Sequence, residues 1–148
     1  MHAGRDPGAL IRDARPGDAD AVARLLGQLG YPAEPTAIVS RLERLAIVGD
    51  RVIVAAVGEE VVGLAHLQVT PTIEYDRPAA KIGALVVDDS HRGEGIGRAL
   101  VEALEAEARA RGCVLLFLTA SAGRQDAHEF YRRVGLEETG KRFTKSLA

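Results

Sequence analysis

The stretch from Ala84 to Arg111 constrains this chain more than any other. Ala84-Leu85-Val86-Val87 is apolar and β-branched enough to be the end of a buried strand, and Asp88-Asp89-Ser90-His91-Arg92-Gly93-Glu94-Gly95 then turns the chain. From Gly95 to Arg111 the apolar residues Ile96, Ala99, Leu100, Ala103, Leu104 and Ala108 recur three and four apart, with charged residues opposite, as one face of a helix requires. A strand turned by glycines into a helix makes an anion site. The first amides of the helix have no partner of their own, and the helix dipole favours negative charge there. Glycines let the backbone approach an anion with no Cβ in the way, and Arg92 and Arg98 add charge-assisted donors.

Three anion sites fit such a turn, and spacing separates them. A phosphate loop of the Walker type needs Gly-Lys-Ser/Thr after its glycines, which this chain lacks. A dinucleotide fingerprint needs Gly-x-Gly-x-x-Gly in an early βαβ unit, with an acidic residue about twenty positions on. Here the glycines are Gly93, Gly95 and Gly97, the turn falls late, and twenty residues on the chain has entered the strand after Cys113. The third pattern, Arg-x-x-Gly-x-Gly, is met by Arg92, Gly95 and Gly97.

The rest of the chain supplies one sheet and its helices. Leu10 to Arg15 reads as a first strand, and Asp18 as the N-cap of a helix through Leu29 that Gly30 ends. Pro35 opens a second helix with Ile38, Val39, Leu42 and Leu45 on one side. Residues 51–57 and 61–69 flank Gly58-Glu59-Glu60 as a hairpin, 70–78 is a loop, and 81–87 is a strand. After the long helix, 113–118 is a buried strand, 126–133 a helix ended by Gly135, and 141–147 a closing strand. The expected fold is therefore α/β (α+β): a single domain over residues 9–148 of order β-α-α-β-β-β-α-β-α-β, with a mixed, mostly antiparallel sheet and helices on both faces. Residues 1–8 are expected to be disordered.

Charge and cysteine content narrow the function classes. The net charge of −2, from 19 basic and 21 acidic residues, argues against a nucleic-acid binder. Cys113 is the single cysteine, so no intrachain disulfide forms, and it is expected in the core rather than in catalysis. A cytoplasmic setting is the simplest reading. No apolar run suits a signal peptide or a membrane span, and no His, Cys or carboxylate cluster has metal-ligand spacing, so neither membrane nor metal is expected.

With its flanking strand and helix, the Arg92–Gly97 turn resembles the coenzyme A signature of the GNAT N-acetyltransferase superfamily. The Leu115–Phe117 strand and the Phe130-Tyr131-x-x-x-Gly135-Leu136 segment fall in family order, and the likeness spans nearly the whole chain. It implies an enzyme that moves an acetyl group from acetyl-CoA to a primary amine by direct attack, and a homodimer. Leu85, Val86 and Val87 would line the pantetheine arm, on a strand that splays from the next one. Arg92, Gly93, Glu94, Gly95, Ile96, Gly97 and Arg98 would hold the pyrophosphate. Arg124 would also touch the cofactor, at a position where relatives often carry asparagine, and Asp89 stands where proline is frequent.

The resemblance makes Tyr131, four residues after Ala127, the acid for the departing thiolate; the alternative is a packing tyrosine. Many relatives place a glutamate base on the strand before the turn, whereas residues 81–87 hold no carboxylate. Glu74 and Asp76 in the loop just upstream are the candidates for that base, and His66 on the preceding strand is another group within reach of the cleft. Residues Arg124 to Tyr131, with Arg142-Phe143-Thr144-Lys145, are similar to the C-terminus of the aminoalkylphosphonate N-acetyltransferases. That likeness implies a small amine bearing an anionic group; His66 and His128 are the candidate substrate-side residues, His128 being otherwise a helix-surface residue. Asp126 is then a helix cap, while Arg142 and Lys145 bind an anion or decorate an edge strand. The rival readings are a non-catalytic acyl-CoA-binding module and a protein or peptide N-acetyltransferase.

Overall fold

The structure, a computed structural model, describes residues 8–119 and 125–148, and only the backbone of Gln125 and Asp126. The expectations for residues 1–8 (Gly8 apart), for Arg124 and for the Asp126 side chain thus lie outside the described residues. The elements follow the order β1 (Leu10–Asp13), α1 (Ala19–Leu29), α2 (Pro35–Ile47), β2 (Arg51–Val57), β3 (Glu60–Thr70), β4 (Ala79–Val87), α3 (Ile96–Ala110), β5 (Leu116–Phe117) and α4 (Gln125–Arg133). One five-stranded sheet runs β1-β2-β3-β4-β5; the first three pairings are antiparallel and β4 pairs β5 in parallel.

Strand alternation divides the core between two faces. On one, Ile53, Ala65, Leu67 and Ile82 pack against Ile96, Leu100 and Leu104 of α3. On the other, Val54, Leu64 and Val86 pack against Val22 and Leu25 of α1 and Ile38 of α2. Ile96, Leu100 and Leu104 are each at most 1% exposed, and burial of such side chains is worth about 2 kcal/mol apiece. That anchorage fixes the start of α3 against the end of β4.

β4 changes face part-way along. Ala80 and Ile82 lie on the α3 side, yet so do Leu85 and Val87. The switch is a bulge: Leu67 pairs with Ile82 and His66 with Ala84, which leaves Gly83 as an extra residue. Pairing between β4 and β5 covers only Ala80↔Leu116 and Lys81↔Phe117, so it stops just before that bulge. From Gly83 to Val87 no strand among the described residues pairs with the β5 side of β4.

Four local expectations are revised. The first strand stops at Asp13, and Pro16–Asp18 is a short 3-10 turn. Asp18 is the N-cap residue of α1 as expected, but its side chain makes no cap hydrogen bond. Its carboxylate accepts both Arg12 nitrogens, at 2.8 and 3.0 Å, and the Arg15 amide at 2.8 Å. Arg12 holds that carboxyl below the ordinary carboxylate range. The strand expected over 113–118 contracts to Leu116–Phe117, because the bulge carries β4 away from it. The closing strand over 141–147 does not form: these residues are exposed, Phe143 by 90% and Leu147 by 93%. The chain there pairs with no strand among the described residues, and neither side chain is buried.

Candidate active site

A cleft of about 420 Å³ opens where β4 loses its partner. Its floor is Leu85, Val86 and Val87; its rim is the turn from His91 to Arg98. Ala127, Phe130, Tyr131 and Arg133 of α4 close one side, and Gln28 and Leu29 at the end of α1 close the other. The size falls within the usual range for small-molecule and cofactor sites.

The turn is built to present amides. Asp88 is buried and ties its start: the carboxylate accepts the Ser90 amide and the Ser90 hydroxyl, each at 3.1 Å, and pairs with Arg24 of α1. The Ser90 amide, together with Arg24 and the Ser90 hydroxyl, holds the Asp88 carboxyl below its ordinary range against the opposing effect of burial. The same arginine donates to the Val61 carbonyl at 3.0 Å, and Gln28 accepts from the Asp89 amide at 3.1 Å. Two residues of α1 thus hold the turn from outside it.

Gly95 then caps α3 in the left-handed conformation, at φ 84°. This region costs an L-residue with a side chain roughly 1–2 kcal/mol, and glycine little. The helical ladder opens with the Ala99 amide donating to the Gly95 carbonyl, so the amides of Ile96, Gly97 and Arg98 lie outside it. No carboxylate lies in the first turn of α3 to offset its positive end. Arg92 pairs with Asp89 at 2.9 Å, but both are more than half exposed, so an arriving anion can take the guanidinium at little cost.

Gly97 serves a different purpose. A Cβ there would lie 3.1 Å from the Phe130 ring. Its absence lets α4 settle on the first turn of α3. Arg98 reinforces the contact by donating to the Arg133 carbonyl at 3.3 Å. The Tyr131 ring lies edge-on to Phe130, with 5.9 Å between centroids, and 6.5 Å from the His128 ring.

The cleft therefore gathers Leu85, Val86, Val87, Arg92, Gly93, Gly95, Ile96, Gly97, Arg98 and Tyr131 from the sequence reading. Glu94 sits on the turn but faces His91, at 3.1 Å from its Nδ1, and does not line the cleft. Glu74 and Asp76 are exposed on the loop between β3 and β4 and do not line it either. His66 lies on β3, paired with Asp50, and His128 is half-buried on α4 beside Tyr131. Sequence reasoning missed Gln28, Leu29, His91, Phe130 and Arg133. The α1 residues carry no local signal, because they reach the turn only through the fold. Phe130 was legible only as the neighbour of Tyr131.

Comparison with known proteins adds to this geometry. The sequence profile of the Acetyltransferase (GNAT) family matches residues 21–136. An aminoalkylphosphonate N-acetyltransferase of Salmonella typhimurium is 39% identical over 88 residues, which are 60% of this chain and 57% of that enzyme. The chain thus matches little more than half the length of that relative. An aminoglycoside N(6')-acetyltransferase type 1 of Stenotrophomonas maltophilia is 31% identical over 134 residues, 87% of this chain and 86% of that one. Among solved structures, a Trypanosoma brucei acetyltransferase superposes with a TM-score of 0.83 at 25% identity, over 94% of this chain and 99% of that chain.

Proposed function

The chain belongs to the GNAT acetyltransferase family, and from that premise we propose that it moves an acetyl group from acetyl-CoA to the primary amine of a small molecule. The observation that carries this reading is the uncompensated start of α3, set at the end of a strand whose edge is open. Pyrophosphate suits the amides of residues 96–98 and the guanidinium groups of Arg92 and Arg98. The unpaired edge of Leu85–Val87 suits the amide-bearing pantetheine arm, which can pair with it as a strand would. The thioester then lies towards Gly83, where β4 and β5 part.

The chemistry is direct. An unprotonated amine attacks the thioester carbonyl, and the C–S bond breaks with its electron pair going to sulfur. Tyr131 lines the cleft and is the group we assign to protonate the thiolate. The likeness to the Salmonella enzyme supports an acceptor that carries an anionic group, with His128, beside Tyr131, on the acceptor side.

The test is acetyl-CoA turnover against a panel of primary amines, followed by thiol release and by the mass of the product. Transfer to at least one small amine is expected, and Tyr131→Phe should lower kcat by about 100-fold, the lower range of general-acid effects. Tight acetyl-CoA binding with no thiol released for any amine would show a binding module instead. An unchanged kcat in Tyr131→Phe would leave Tyr131 a packing residue.

A further inference from the structure

The bulge in β4 holds a group that the cofactor cleft does not use. Gly83 is the extra residue there, and its backbone is exposed. A side chain at this position has no room: a Cβ on Gly83 would lie 2.5 Å from Nδ1 of His66. The imidazole of β3 occupies the space that a β4 side chain would otherwise fill, on the face opposite α3. Pairing with β5 ends two residues earlier, at Lys81.

His66 is fixed in that place. Its Nε2 lies 3.0 Å from Oδ2 of Asp50, and the two side chains are only 15% and 8% exposed. A carboxylate only accepts hydrogen bonds, so Nε2 carries the hydrogen and Nδ1 of the neutral ring keeps its lone pair. That lone pair is on the side of the bulge, and no described residue donates to it. A carboxylate that fixes the tautomer of an imidazole and leaves the other nitrogen basic is a general-base arrangement.

We propose that His66 is the general base of the acyl transfer and that Asp50 is the residue that positions it. The inference rests on the acetyltransferase reading above. The strand 79–87 carries no carboxylate, so another element must take the proton of the incoming ammonium. Glu74 and Asp76 are exposed and make no hydrogen bond or ion pair with another described residue, which leaves them without a fixed direction. In the step itself, the R–NH3+ group gives one proton to His66 Nδ1. The freed nitrogen bonds to the thioester carbon, and the C–S bond breaks towards sulfur. The second nitrogen-bound proton is lost as the amide forms and balances the proton that Tyr131 gives to the thiolate. His66 returns its proton to solvent.

The experiment uses the full chain with acetyl-CoA and a panel that includes aminomethylphosphonate and kanamycin. Calorimetric acetyl-CoA affinity serves as the check on folding. His66→Gln should keep that affinity and lower kcat about 100-fold on the best acceptor, as loss of a general base does. Asp50→Asn should lower kcat about tenfold, in the range seen when the group orienting a functional histidine is lost. Added imidazole should restore much of the turnover of His66→Ala, which a purely structural role would not allow. Retained kcat in His66→Gln, or no recovery of His66→Ala with imidazole, overturns the proposal. Loss of kcat in Glu74→Gln or Asp76→Asn alone would give the role to the loop. No transfer by the wild-type chain to any amine would instead remove the acetyltransferase reading, and this inference with it.

Discussion

Gly95→Val is expected to weaken acetyl-CoA binding by about thirtyfold while the domain stays folded. Gly95 caps α3 at φ 84°, and a β-branched residue there is strained by about 2 kcal/mol. In the free variant the turn relaxes to shed that strain, since Gly95 is exposed and little packs on it. Relaxation turns the amides of residues 96–98 away from their common focus. Binding must then restore the strained turn or forgo at least one charge-assisted hydrogen bond, each worth about 1.5–3 kcal/mol. Binding follows the cheaper of the two routes, at about 2 kcal/mol, and each 1.4 kcal/mol is tenfold in Kd. Titration calorimetry reads the change directly. A Kd close to that of the wild type, in a variant that melts normally, would mean that the turn does not hold the cofactor.

Leu100→Ala has the other large expected effect, and it acts on stability. Leu100 is fully buried on the α3 face of the sheet, one turn below the start of the helix. Truncation removes the transfer energy of the side chain and leaves a cavity that Leu104 and Ile96 cannot fill from the same helix. The expected loss is about 3 kcal/mol. For a domain of this size that lowers Tm by about 10 °C. Acetyl-CoA affinity measured well below that Tm should change little, because the amides of residues 96–98 sit above the cavity. A loss under about 1 kcal/mol would fall outside the usual range for a buried leucine and would show that α3 is not seated as described.

The parts of the molecule legible in the sequence are those that short-range physics writes down. The helical stripe from Ile96 to Ala108 and the glycines at 93, 95 and 97 are local patterns, and the structure places helix and turn within a residue of them. The two long central strands were legible for the same reason, because alternation and the turn at Gly58 are local. The strand expected at 141–147 does not form because a strand is defined by its partner, and residues 141–147 find none among the described residues. The only mark of the bulge in the sequence is Gly83 itself, a glycine inside a strand, which the sequence reading did not take up. The bulge depends on the register between β3 and β4, which shifts only when the two are aligned.

The same division runs through the candidate site. The Arg92–Gly97 segment was readable because one stretch of chain supplies most of the anion site. The clamp made by Arg24 and Gln28 was not, since α1 is more than fifty residues away in sequence and meets the turn only across the sheet. His66 was legible as a polar group within reach of the cleft, a candidate base or substrate-side residue. Its pairing with Asp50 and its place against Gly83 are what give it a direction, and both come from three-dimensional neighbours.

The central claim is that the turn from Arg92 to Gly97 holds the pyrophosphate of acetyl-CoA. The most direct measurement compares the wild-type affinity for acetyl-CoA with that for acetyl-pantetheine, which keeps the thioester and its arm but lacks the pyrophosphate and the 3′-phosphoadenosine joined through it. If the amides at the start of α3, Arg92 and Arg98 hold that group as proposed, acetyl-pantetheine should bind at least about 100-fold more weakly, as loss of two charge-assisted hydrogen bonds requires. Equal affinity for the two ligands would contradict the account.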